Sequence, residues 1–170
     1  KEKMSKSLGN FFTLRDIYKR YHPETLRLFL ISSHYRSPID FSEKNLEDAE
    51  KVILRFYETL EKAEALVGGY DVSLEQVMSS PLVEKCEKAM DDDFNTAVVV
   101  AHLNEESRGI NAECFNLDRE SGDKKKLAVR MAAFKLAGGF LGLLSSVPKK
   151  IIQEIFNTKQ IKRGLDVKKI

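Results

Sequence analysis

The amino-acid sequence predicts an all-α protein: an up-and-down helical bundle, preceded by a short helical region and a flexible leading loop. Three observations predict it. Apolar residues recur at spacings of three and four over most of the 170 residues, the period of a helix with one buried face. Pro, Gly, Ser and Thr stand where such helices would start and stop. The connections are short, which makes successive helices antiparallel.

Thr13 precedes a short amphipathic segment with Leu14, Ile17, Tyr18 and Tyr21 on one face and Asp16 in its first turn. Pro23 suits a first helical position and opens a helix over 24–33; Leu26, Leu28, Phe29, Leu30 and Ile31 leave it so little polar face that it should be buried. The stretch 34–41 contains Pro38 and reads as a loop. Ser42 caps the longest helix, about 42–67, whose stripe is Leu46, Ala49, Ile53, Phe56, Leu60, Ala63 and Val67 and whose stop is Gly68-Gly69. A polar linker follows. Pro81 then opens a helix with Leu82, Cys86, Ala89 and Met90 inward. Asn95-Thr96 caps the next, with Val99, Leu103, Ile110, Cys114 and Leu117 inward, and 118–123 is a turn. The last strong helix uses Leu127, Met131, Phe134, Leu141 and Leu144. After Pro148 the pattern weakens to a short helix over 151–156 and a basic tail over 159–170.

Composition narrows the function classes. Apolar residues make up 42% and charged residues 32%, an ordinary globular balance rather than a disordered one. No apolar run approaches the roughly 18 residues of a membrane span. The opening Lys1 is no initiator, so the chain reads as cut from a longer one, and no secretory leader follows it. Cys86 and Cys114 lie far apart and outside any CxxC spacing, which fits a reducing compartment, the cytoplasm, and neither a disulfide scaffold nor a metal knuckle. The net charge of +2 hides an uneven distribution. Lys and Arg outnumber Asp and Glu by eight to four over 1–41 and by seven to two over 149–170, and are outnumbered six to fourteen over 42–95. A polyanion would therefore be attracted at both sequence ends, although uneven solvated helix faces give the same count.

The chemistry is concentrated at the front, in Lys3-Met4-Ser5-Lys6-Ser7 followed by Leu8-Gly9-Asn10. Two lysines three apart, with serines beside them and followed by glycine, make a mobile cationic loop. Ammonium groups there would stabilise the charge that builds on a departing pyrophosphate more than they stabilise bound ATP. The hydroxyls of Ser5 and Ser7 and exposed backbone N–H groups could add hydrogen bonds to phosphate oxygens. A frayed basic terminus would have the same composition.

The whole string resembles KMSKS, a signature of class I aminoacyl-tRNA synthetases. Residues further on resemble the cysteinyl-tRNA synthetases in particular: KMSKSLGNFFTL over 3–14, His22-Pro23-Glu24-Thr25-Leu26-Arg27 in the place of the DALR segment, SHYRSPIDFS over 33–42, Asp91-Asp92-Asp93-Phe94-Asn95-Thr96, and Phe140-Leu141-Gly142-Leu143-Leu144. The resemblance covers roughly 1–147. It implies the C-terminal part of a cysteine–tRNA ligase: 1–41 as the KMSKS loop and stem-contact region that end the catalytic domain, 42–147 as a helical bundle of the anticodon-binding type, and 148–170 as a basic, poorly defined extension. It implies tRNA(Cys), cysteine, ATP and Mg²⁺ as partners and substrates of the full-length form, Lys6 as the lysine that meets ATP with Lys3 assisting, and a monomer. It also implies a HIGH motif and a zinc site. No HIGH-like string occurs in 1–170 and His22, His34 and His102 are not clustered, so the zinc ligands are expected elsewhere, no metal is expected here, and the chain alone is expected to be inactive.

Arg36, Lys124, Lys125, Lys126, Lys149, Lys150, Lys162 and Arg163 are the candidate phosphate contacts on tRNA. His34, Tyr35 and Arg36 could equally be interdomain packing. Arg27 is expected to anchor a loop or a carboxylate, Asp91–Asp93 to sit at the N-terminal end of a capped helix where its dipole favours acids, Cys86 and Cys114 to be buried thiols, and His102 to lie in or beside the core. Two other readings fit part of the sequence: a related ligase that joins cysteine to an amino sugar without tRNA, and a non-catalytic bundle that only packs against partners.

Overall fold

The computed structural model describes residues 13–118 and 122–167. Among them every regular element is a helix: α1 (Leu14–Tyr18), α2 (Pro23–Ile31), α3 (Glu43–Val67), α4 (Leu74–Met78), α5 (Pro81–Asp91), α6 (Thr96–Asp118), α7 (Lys124–Phe140) and α8 (Pro148–Val167). The starts follow local chemistry. Thr13, Ser42 and Ser80 each accept a backbone N–H in the first turn of the helix they precede, satisfying donors that have no partner inside the helix. Ser73 and Gln76 form a reciprocal capping box on α4. Gly68, in the left-handed conformation at φ 64°, ends α3.

The central element is α3, which packs on α2, α6, α7 and α8. Ile53, Phe56, Tyr57, Leu60 and Ala63 on α3 are completely buried, and the Phe56 and Phe134 rings meet edge to face at 5.3 Å. Cross-links fix the directions. Arg55 bonds Asn104, while Thr59 meets Ser107 at 3.0 Å and Asn111 at 2.8 Å, so α3 and α6 run the same way. Arg130 and Lys126 of α7 pair with Glu106 and Glu113 of α6, so α7 runs against α6. With α5 between α3 and α6, the alternation is that of an up-and-down bundle. Each large apolar side chain taken fully out of water here contributes about 1.5–3 kcal/mol.

The structure departs from the sequence reading in three places within the bundle. The linker after Gly69 contains α4, which buries only Val77 and is too short to show a period. Leu141 and Leu144 are buried, but beyond the end of α7, in a turn where Gly142 and Leu144 take φ of 66° and 61°. The segment after Pro148 is not a short helix over 151–156; α8 spans 20 residues, and Ile151 and Ile155 bury it in the core. Among the described residues its main packing partner is α3, and a stripe turned toward a single helix gives a weak periodic signal. Asp118 ends α6 and Asp123 caps α7; 119–121, in the expected turn, lie outside the described residues.

Candidate functional site

The expected ATP-site residues Lys3, Ser5, Lys6 and Ser7 lie outside the described residues. What the structure does place is how the residues just behind them are tied to the bundle, at two carboxylates.

The first is Glu24, on a helix that starts with proline and is capped by His22, whose Nδ1 accepts the Glu24 backbone N–H at 3.2 Å. Glu24 is buried. Its Oε1 accepts the Tyr57 hydroxyl at 2.7 Å and its Oε2 the Leu144 backbone N–H at 3.2 Å. One side chain therefore joins α2, α3 and the α7–α8 connection. Burial, reinforced by this carboxylate, pushes the Tyr57 phenol well above its ordinary range, which keeps the hydroxyl protonated as a donor. His22 adds a link to α8, its Nε2 lying 3.3 Å from Glu154.

The second is Asp93. Asp91 is the last residue of α5 and Asp92 its C-cap, so these acids stand at the C-terminal end of a helix, not at the N-terminal end of one; the dipole does not explain them. Asp93 and Phe94 then both take positive φ, 55° and 53°, a costly conformation for residues other than glycine. It lets the Phe94 and Asn95 N–H groups reach the Met90 and Ala89 carbonyls, each at 3.0 Å, and it aims the Asp93 carboxylate at the loop between α2 and α3. There Asp93 Oδ1 accepts the Tyr35 hydroxyl at 2.7 Å and an Arg36 N–H at 3.2 Å, and Oδ2 lies 3.7 Å from His34 Nε2. His34 stacks on Tyr35 with centroids 4.8 Å apart. The Arg36 guanidinium lies 5.4 Å from the Tyr35 centroid and donates to its hydroxyl at 2.9 Å. The Asp93 bond raises the Tyr35 phenol above its ordinary pKa. Thr96 Oγ1 closes the junction by donating to the Ile31 carbonyl at 2.8 Å. Two segments 57 residues apart that looked unrelated in sequence are thus one cluster, and its outer surface still exposes 69% of Arg36.

Among the described residues the candidate phosphate contacts are spread over more than one element. Lys124, Lys125 and Lys126 form the first turn of α7, where the helix dipole disfavours cations. Asp123 offsets this by accepting the Lys125 and Lys126 backbone N–H groups at 2.8 and 3.2 Å. Lys126 pairs with Glu113, which Arg130 also approaches at 3.6 Å. Lys150 reaches Glu154 at 3.9 Å. Lys124, Lys125 and Lys149 are exposed. The starts of α7 and α8 lie at opposite ends of α7, about 25 Å apart for 17 helical residues. Lys162 and Arg163 fall on the last turns of α8, where the side chains lie outside the described residues.

Arg27 anchors no carboxylate among the described residues; its guanidinium lies over Gly142, where a Cβ would stand 3.1 Å from Nη1. Cys86 and Cys114 are buried, as expected, and burial pushes the Cys86 thiol up to about 11. His102 is half-buried at the boundary of the core. Among the described residues no three of His, Cys, Asp and Glu come together as a metal site, and no helix is long and apolar enough to cross a membrane.

Residues 1–51 match the tRNA synthetases class I (C) catalytic domain, and residues 85–145 match the DALR domain. A match to a class I tRNA synthetase catalytic domain, followed along the chain by a match to a helical DALR domain, gives the class of protein. Within it the chain belongs to the cysteine–tRNA ligase family. It is 44% identical to the cysteine–tRNA ligase of Syntrophotalea carbinolica over 91% of its own length and 33% of that protein's. To those of Pelobacter propionicus and Pseudomonas aeruginosa it is 39% and 44% identical, over 93% and 89% of this chain and 35% and 30% of theirs. The chain thus spans about a third of the length of the curated relatives it matches.

Proposed function

We propose that this chain is the tRNA-holding part of a cytoplasmic cysteine–tRNA ligase, with residues 1–41 ending the catalytic domain, 42–147 forming the bundle that receives the tRNA, and 148–170 extending it. The observation that carries the reading is the pairing of a catalytic-domain match over 1–51 with a DALR match over 85–145 in one chain. In the full-length enzyme a cysteine carboxylate oxygen attacks the α-phosphorus of Mg²⁺-bound ATP, the bond to the β-phosphate oxygen breaks, and pyrophosphate leaves. The adenylate then passes its cysteinyl group to the 3′ end of tRNA(Cys), releasing AMP. Lys6, assisted by Lys3, neutralises the charge on the leaving pyrophosphate, and Ser5 and Ser7 hydrogen-bond its oxygens. The zinc ion that the resemblance implies would be held by residues outside this chain, and no step above runs through it.

The Glu24 and Asp93 junctions support this reading because they join the end of the catalytic domain rigidly to the bundle, so that RNA held on one side is held at a set distance from the other. Phosphate contacts from Arg36, Lys124–Lys126, Lys149, Lys150, Lys162 and Arg163 would supply affinity that weakens as salt rises. A fluorescence titration of the chain with tRNA(Cys) at low salt tests this; absence of binding would refute the RNA-holding role. In the full-length enzyme, Lys6→Ala should slow pyrophosphate exchange by about 10²–10³-fold, the cost of losing one charge-stabilising donor, and leave tRNA binding intact. AMP release stimulated by an amino sugar and not by tRNA would favour the tRNA-independent ligase instead.

A further inference from the structure

Asp93 and Phe94 take left-handed φ of 55° and 53° one after the other, against the preference of any L residue, and such strain collects where function uses it. In Asp93 it aims the carboxylate at Tyr35 and Arg36. In Phe94 it serves no packing. The ring is 66% exposed, and the turn closes through the backbone N–H groups of 94 and 95, which need no aromatic side chain. Tyr35, tied to Asp93 by its hydroxyl, is 59% exposed as well. Arg36 has two N–H groups held, by the Tyr35 hydroxyl and by Asp93, and is therefore fixed in place while most of its side chain meets solvent. Two open aromatic rings and a fixed guanidinium at one turn are the elements on which unstacked bases lie.

Charge decides where the backbone of such a ligand can run. Asp91 and Asp92 are exposed at the same turn and repel phosphate, so the turn admits the uncharged face of a base. Beside it α5 and α6 leave a crease, a hollow of about 240 Å³ lined by Lys85, Lys88, Asn95 and His102, with Asp92 at its turn end. Lys88 also reaches Glu84 at 2.6 Å; Lys85 pairs with no carboxylate among the described residues. From 85 to 92 the crease runs about 10 Å along α5. We propose that the Asp93–Phe94 turn is a nucleobase platform: an unstacked base of bound RNA lies on Phe94 and the Tyr35–Arg36 pair, and the adjoining phosphates lie along the crease at Lys85 and Lys88. The proposal rests on the reading of this chain as the tRNA-holding part of a synthetase and adds a base contact to the phosphate contacts given above.

Titration of the full-length protein with fluorescein-labelled tRNA(Cys) at several salt concentrations tests it. Phe94→Leu, at an exposed position, should weaken binding about tenfold without changing the salt slope, since stacking displaces no counterion, and Phe94→Tyr should bind as the wild type does. Phe94→Gly relieves the left-handed backbone; it should bind as weakly as Phe94→Leu with no fall in melting temperature. Lys85→Met should lower the salt slope by about one. Ultraviolet cross-linking should join the RNA to a peptide containing Phe94 or Tyr35. Unchanged binding by Phe94→Leu would overturn the proposal. So would equal weakening by Phe94→Tyr, or a salt slope that falls with Phe94→Leu, which would make the contact one to phosphate. A melting temperature lowered by Phe94→Leu with tRNA affinity intact would make the occupant a protein surface and would overturn it too. Failure of the wild-type protein to bind tRNA(Cys) would remove the synthetase reading and the platform together; wild-type binding that Phe94→Leu leaves untouched removes the platform alone.

Discussion

Glu24 and Asp93 are both carboxylates that tie the region around α2 to the bundle, and they do it under opposite conditions. Glu24 is buried, with one oxygen on a side-chain hydroxyl and the other on a backbone N–H of a residue 120 positions away. Asp93 is 41% exposed and gathers three side chains, all from one loop. In low dielectric each bond of Glu24 is strong, and losing the carboxylate strands two buried donors. At Asp93 water can replace whatever is lost, so the cluster organises a loop but adds little to stability. The same functional group therefore acts as an internal tie in one place and as a surface organiser in the other.

The contrast can be broken by measurement. Glu24→Ala should produce the largest effect, a loss of about 3 kcal/mol in denaturant unfolding, because the Tyr57 hydroxyl and the Leu144 N–H both lose the carboxylate that accepts them; a loss as small as that of an exposed ion pair would erase the distinction. Gly138 stands beside Leu144, and a Cβ there would meet Leu144 Cδ1 at 2.6 Å, so Gly138→Ala should cost about 1–3 kcal/mol by overpacking and shift the same turn. Tyr57→Phe, which removes one of the two bonds and leaves no void, should cost about 1 kcal/mol. Asp93→Ala should cost under about 1 kcal/mol, yet speed amide exchange in the loop at 33–37, which His34, Tyr35 and Arg36 hold in place. Unchanged exchange there would show that the cluster organises nothing.

Cys86 extends the comparison to pH. Its thiol is held protonated in the fold up to about 11 from an ordinary value near 9. The unfolded chain therefore releases its proton first, and from about pH 9 to 11 unfolding is favoured progressively as pH rises; below 9 this group contributes no pH dependence. Native protein at pH 8 should accordingly leave Cys86 unmodified by a thiol reagent, while denatured protein reacts at once. Rapid native labelling would contradict the closed interior around it.

Much of the scaffold was legible because its signals are local. Ser42 and Gly68 bound α3, and the stripe between them runs long enough to show its period. The long stripe from Val99 to Cys114 in α6 was equally readable. Short or one-sided elements were not: α4 has one buried residue, and the stripe of α8 touches little beyond α3. The resemblance marked both the HPETLR and the SHYRSP segments as noteworthy, but nothing in either string says that Glu24 meets Tyr57 or that Arg36 meets Asp93. Asp91–Asp93 were placed wrongly for a related reason: the residues fit the start of α6, and only the positive φ of Asp93 and Phe94 shows that the chain is still closing α5.

By itself the sequence determined the long helices with their clear stripes, the Ser42 cap and Gly68 stop of α3, the burial of both cysteines and the family, since each depends on residues close together in the chain or on a contiguous string. The tertiary structure alone decided which carboxylate holds which donors and that Arg27 lies over Gly142. Those are matters of distance between segments, and side chains separated by 57 or 120 residues are brought within bonding range only when packing around α3 sets where each helix lies.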